Sequence, residues 1–368
     1  MTDPRLTKLA DLLVNYSVKI QPEEWVLING HMVAEPLIVE VLRAVLQAGG
    51  RPQILMHSDN ITEYSLKYAN DDQIKWIAPT VTMIYEEVDV LIALQAFENT
   101  RHMSGVDPKK QQLSGQAKQG LMQTYMERSA SGDLRWTLTN YPCPAYAQDA
   151  DMSLNDYEDF VYSACYCDKD DPVAEWQRIH DEQQVVVDWL KGKKIVTVKS
   201  PNADISLSIE DRTFINSDGC HNMPSGEVFT GPVEDSANGW VNYTYPAIQQ
   251  GKEVEGIRLE LNDGKVVIAT AEKNEEFLLA MLDSDDGSRY LGEFAIGTNY
   301  GIQEFTKSIL YDEKIGGSFH MALGAGYPET GSKNVSAIHW DMICDIREDS
   351  EVRVDGDLLY KDGKFMIS

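Results

Sequence analysis

Near residue 193 the periodicity of the chain changes, and that change limits the folds open to it. Before it, short apolar runs alternate with helical patterns. EWVLIN (24–29) reads as a strand, AEPLIVEVLRAVLQAGG (34–50) as an amphipathic helix with a glycine stop, and RPQILMH (51–57) as the next strand. VDVLIALQ (88–95) reads as a third strand, continuous enough to be buried on both faces. Segment 107–129 predicts one long surface helix, and 153–192 predicts two more. Strands separated by helices predict a parallel, doubly wound sheet. Beyond 193, KKIVTVKS, ADISLSIE and EVEGIRLELNDGKVVIATAEK alternate with a period of two, and Asp263-Gly264 and Asp362-Gly363 stand where hairpin turns belong. Only one evident helix, NEEFLLAMLDS (274–284), interrupts these strands. The expected architecture is α/β: a doubly wound, mainly parallel domain over 1–192, then a mostly antiparallel, β-rich domain over 193–368.

A chain of 368 residues supports two such cores without staples. Acidic side chains outnumber basic ones 59 to 32, a formal charge of −27 that repels phosphate backbones and anionic membranes and favours cations. Neither nucleic acid nor a membrane is therefore expected as a partner. The opening MTDPRLTKLADLLVNYSV is too polar for a signal peptide, and no segment has 18 consecutive apolar residues. Five scattered cysteines fit reduced thiols better than a disulfide framework, and Cys165-Tyr-Cys167 is too tight for a zinc pair. A cytoplasmic location is the expectation.

The residues able to carry chemistry concentrate in the second half. SAIHWDM places His339 and Asp341 two apart, so a strand turns both to one face. An aspartate within the apolar stretch VSAIHWDMIC is costly unless paired or bound to a metal. Glu227 in MPSGEVFTGP and Glu293 in GSRYLGEFAIG stand in similarly apolar or glycine-bounded settings, where a buried salt bridge to an arginine such as Arg289 is the simpler explanation. GSFHMALGAGY adds His320. Three carboxylates and two imidazoles are too anionic for a structural zinc and suit two divalent cations with open positions.

MPSGEVFTGP, GSRYLGEFAIG, LYDEKIGGSFHMALGAGY and SAIHWDM resemble, in that order, the signature segments of the M29 metallo-aminopeptidases. AEPLIVEVLRAVLQAGGRP resembles that family's opening strand-helix-strand unit, so the likeness covers nearly the whole chain. The resemblance implies a homodimeric exopeptidase acting on peptides with a free N-terminus, with two divalent ions per chain (zinc, cobalt, manganese or magnesium). It implies metal binding by Glu227, Glu293, His320, His339 and Asp341, and a tyrosine beside the metals at Tyr327. Either Glu227 or Glu293 is then the carboxylate that passes a proton from a metal-activated water to the leaving amine. Tyr327 would donate a hydrogen bond to the tetrahedral oxyanion or bind a metal. Gly316, Gly317, Gly324 and Gly326 are expected to bring backbone close to the metals or to turn it sharply beside them.

One enzymatic alternative comes from the residues themselves. His320, His339 and Asp341 alone form a two-histidine, one-carboxylate set, the arrangement of mononuclear non-haem iron ring-cleaving dioxygenases. Two histidines stand outside both readings. His221 lies close to Glu227 in sequence, and His102 follows a presumed strand end, where open α/β sheets bind ligands.

Overall fold

The computed structural model describes residues 3–367. Its internal contacts divide the chain into two units, Met1–Val173 with Gly219–Pro224, and Ala174–Asp218 with Ser225–Ser368. Segment 174–192, which lies before the boundary drawn from sequence, falls with the second unit, where Val186, Val187 and Leu190 join the core. The return of 219–224 to the first unit has no signature in the local sequence.

The first unit is built on a parallel sheet ordered Arg51–His57, Trp25–His31, Val90–Gln95, Arg135–Asn140 and Asn222–Met223. Its first crossover helix, Glu35–Gln47, carries Pro36 in its opening turn and buries Leu37, Ile38, Val41, Ala44 and Val45 at helical spacing. The helix stops before Gly49, whose φ of +86° suits a residue without a Cβ. Strand Val90–Gln95 differs from expectation: Val90, Ile92 and Leu94 are buried but Leu91 and Ala93 only partly so. The helices Pro79–Glu87 and Gln119–Ser131 supply little cover, the first burying only Ile84 and the second no residue. The single long helix expected over 107–129 is two, Pro108–Ala117 and Gln119–Ser131. Gly115 and Gly120 flank the break and lower helix propensity there.

The second unit is mostly antiparallel, with an eight-stranded and a five-stranded sheet that share one hydrophobic core. Val196, Val198, Ile205, Val241 and Leu259 enter it from the larger sheet, and Phe294, Ile296, Phe319, Met321, Trp340 and Met342 from the smaller. Both expected hairpins are present, joining Arg258–Asn262 to Lys265–Thr270 and Asp357–Lys361 to Lys364–Phe365. The expected helix spans Glu275–Leu282, and a short one, Ile309–Asp312, is additional.

The five-stranded sheet runs His339–Asp345, Ser318–Gly324, Leu291–Gly297, Glu227–Thr230, Ile215–Ser217. Its register pairs Glu293 with Ala322 and Ala322 with Asp341, His320 with Ala295 and Ile343, Gly324 with His339, and Glu227 with Gly297. Because successive side chains in a strand point to opposite faces, Glu227, Glu293, His320, His339 and Asp341 share one face. Val228, Phe294, Phe319, Met321, Trp340 and Met342 point to the other, into the core.

Candidate metal centre

The five side chains singled out from sequence meet on the polar face of this sheet, opposite the core. His320 Nε2 lies 3.5 Å from Glu227 Oε2 and 3.4 Å from Glu293 Oε1. His339 Nε2 lies 3.3 Å from Glu293 Oε2 and 3.5 Å from Asp341 Oδ1. Glu227 and Glu293 are 5% exposed and His320 not at all. The floor between them is made of small residues, Ala295, Gly297, Ala322 and Gly324, which leave the space above the sheet to the polar heads. Arg289, the arginine that offered a simpler explanation, pairs instead with Asp283.

Two more charged residues join the cluster that were not singled out in the sequence. Glu313 groups with His320 and Asp341, and Lys314, fully buried, pairs with Glu313 and lies 3.8 Å from Glu227 Oε1. They follow the short helix Ile309–Asp312, and Lys314 is held from both sides: its N–H donates to Tyr311 O and its carbonyl accepts from Asn299 N. The run Asp312-Glu313-Lys314 reads in sequence as an ordinary solvated charge patch; the signal available was its place just before the Gly-Gly that opens the His320 strand.

The electrostatics follow from burial and crowding. Burial pushes the Glu227 carboxyl up to about 7, against the pull of Lys314 and His320. Burial also acts on Glu293, but hydrogen bonds from His320 and His339 outweigh it and hold that carboxyl below its ordinary range. Burial opposes charge on both imidazoles, yet the surrounding carboxylates push His320 up to about 9 and His339 up to about 12. His339 Nδ1 donates to Ala325 O at 2.7 Å, which orients the ring and turns Nε2 toward the cluster. Tyr327 sets its ring edge-on to His339 at 5.1 Å, also touches Phe229, and is 40% exposed. Burial and nearby Glu293 and Asp341 keep its hydroxyl protonated far above neutral pH.

Donor atoms form three groups, each within 4.8 Å: Glu227–Glu293–His320, Glu293–His339–Asp341 and Glu313–His320–Asp341. Glu227 Oε2, Asp341 Oδ1 and His320 Nδ1 are buried without a hydrogen-bond partner. Buried polar atoms are normally satisfied, so unmet acceptors within a set of carboxylates and imidazoles fit a divalent cation.

Of the two roles expected of the glycines, the sharp turn is present, with φ at +100° for Gly317 and +98° for Gly324. A Cβ on Gly324, whose φ is +98°, would lie 2.1 Å from Ile338 O, and one on Gly316 would lie 2.6 Å from the Tyr300 ring. Close packing against the protein's own chain, rather than approach to a metal, excludes larger residues there. His221 and His102 belong to the first unit. His221 rests on Trp136 with ring centroids 4.7 Å apart. His102, beyond the end of Val90–Gln95, stacks on Phe97 and has Nδ1 3.0 Å from Asn99 O.

A sheet face that gathers carboxylates and imidazoles around unmet donor atoms is the equipment of a metal-dependent hydrolase. The family model for thermophilic metalloproteases, M29, matches residues 2–365. The chain belongs to this family, a class of metal-dependent peptide hydrolases. It is 27% identical to Aminopeptidase 2 of Geobacillus stearothermophilus, covering 98% of this chain and 95% of that one. It is 23% identical to Aminopeptidase T of Thermus thermophilus, covering 97% and 95%. The fold matches the solved structure of wild-type AmpT from Thermus thermophilus with a TM-score of 0.86, at 21% identity and 99% coverage of both chains.

Proposed function

We propose that this chain is an aminopeptidase that removes the N-terminal residue of peptides at a centre of two divalent cations. The observation that carries the reading is the placement of Glu227, Glu293, His320, His339 and Asp341 on one sheet face, with unmet donor atoms between them. Glu293, His339 and Asp341 would hold one cation, and Glu227, Glu293 and His320 the other, with Glu293 shared. Such ions supply an activated water and polarise the scissile carbonyl. Glu293 is engaged by both imidazoles, which leaves Glu227, whose Oε2 accepts no hydrogen bond, to take the proton from water and deliver it to the leaving amine. Tyr327, protonated at the mouth of the cluster, donates to the oxyanion. The carboxylate-rich face also suits a free α-ammonium group, which gives preference for an N-terminus.

The names of the relatives, all aminopeptidases, support this reading. The dioxygenase alternative is not favoured, because His320, His339 and Asp341 come together with Glu227, Glu293 and Glu313, which a single iron does not require. Zinc, cobalt, manganese and magnesium are all compatible with a mixed oxygen and nitrogen set. The five free cysteines support a cytoplasmic setting, and no described helix is long and apolar enough to cross a membrane. Exposed Ile54, Leu55 and Met56 on an edge strand support a homodimer, which light scattering would test.

The deciding assay reconstitutes the metal-free protein with each of Zn²⁺, Co²⁺, Mn²⁺ and Mg²⁺ and offers aminoacyl anilides beside N-acetylated controls. Hydrolysis restricted to the free amines is expected. Equal hydrolysis of the acetylated controls, or oxygen uptake with one bound iron, would overturn the reading.

A further inference from the structure

The two cation positions are not equivalent with respect to Lys314. This lysine is fully buried, and its ammonium pairs with Glu313 and, at 3.8 Å, with Glu227 Oε1. Of the three donor groups, Glu227–Glu293–His320 and Glu313–His320–Asp341 each contain a carboxylate that Lys314 already engages. Glu293–His339–Asp341 contains neither of those partners, and its imidazole is oriented in advance by Ala325 O. A divalent ion arriving on the Glu227 side therefore meets a like charge in a site shielded from water and shares its carboxylate with that charge. On the His339 side no ammonium pairs directly with a carboxylate of the group: Lys314 acts on Asp341 only through its longer-range charge.

We propose that Lys314 is a built-in counter-cation that makes the two positions unequal: the Glu293–His339–Asp341 position retains its ion, while the Glu227 position fills only at higher metal concentration and exchanges. The inference rests on the two-cation reading given above. It makes the free metal concentration a control on the fraction of fully loaded enzyme.

The test is a titration of the full-length, metal-free protein with Co²⁺, read by equilibrium dialysis with elemental analysis and by the visible absorption of bound cobalt. Wild type is expected to bind one ion per chain at least about tenfold more tightly than a second. Lys314→Met should strengthen the second by about tenfold and leave the first nearly unchanged, while Lys314→Arg keeps the inequality. His339→Ala should lose the tight ion and keep the weak one. Two ions of equal affinity in wild type overturn the proposal, as does a folded Lys314→Met whose affinity ratio is unchanged, the result for a lysine that only steadies the fold. If Lys314→Met does not fold, the wild-type ratio and the His339→Ala loss decide the matter. Absence of any bound cobalt in wild type sinks the two-cation reading itself, a different outcome from two equal sites.

Discussion

At the scale of single residues, Glu227 and Tyr327 have separable duties. Glu227→Gln preserves shape but removes the proton carrier and weakens the second cation position, and kcat should fall by about 10²–10⁴ with metal in excess while the melting temperature of the metal-free protein holds. Unchanged turnover with a lowered melting temperature would mean that Glu227 braces the sheet and does no chemistry. Tyr327→Phe removes one oxyanion donor, and kcat should drop by about 10²–10³ with little change in KM. A loss confined to KM would instead place the hydroxyl on the ground-state substrate. Glu227, Glu293 and Asp341 could be read from sequence because a carboxylate in an apolar strand demands a reason. Glu313 and Lys314 could not, because three adjacent charges resemble a solvated turn until the fold buries the lysine.

At the scale of elements, the polar face depends on connections that hold its strands and loops. Gly324 ends the His320 strand with φ at +98° and no room for a Cβ beside Ile338 O. Gly324→Ala should cost at least about 1–2 kcal/mol from the backbone alone, and thermal unfolding should begin several degrees lower. An unchanged melting curve would show that the strand end can relax. The loop carrying Tyr327 is held by Glu234, which accepts from Lys333 N at 2.6 Å and from Arg212 at 2.7 Å. Burial works against the charge on Glu234, but the bond from Lys333 N and the pull of Arg212 keep its carboxyl below the ordinary 4.5. A depressed folded value contributes stability above pH 4.5 that is lost as the pH falls through it. Glu234→Gln should therefore lower the melting temperature at pH 7, with the gap to wild type closing in acid. A gap independent of pH would rule out the ion pair as its source. The strands themselves were legible from their period of two, and the parallel sheet from its alternation with helices. The break near Lys118 was less so, since its cause is two glycines in an otherwise helical stretch.

At the scale of the whole molecule, the second unit concentrates negative charge that a bound cation relieves. Chelation should lower its melting temperature, by an amount equivalent to about 2.7 kcal/mol if metal had stood at a hundredfold its dissociation constant. A melting curve indifferent to chelator would show that the imidazole–carboxylate pairs satisfy the site unaided. Sequence placed the change of architecture near residue 193 but could not anticipate that 219–224 rejoins the parallel sheet, because a two-residue strand has no periodicity to read. The register of the five-stranded sheet has one more consequence. Adding or deleting a single residue within Leu291–Gly297, Ser318–Gly324 or His339–Asp345 would exchange that strand's polar heads for the apolar side chains now turned inward. Divergence by insertion and deletion should thus accumulate in the connecting turns and spare the strands, so that lineages descended from this fold can remodel the entrance while the chemistry keeps its frame.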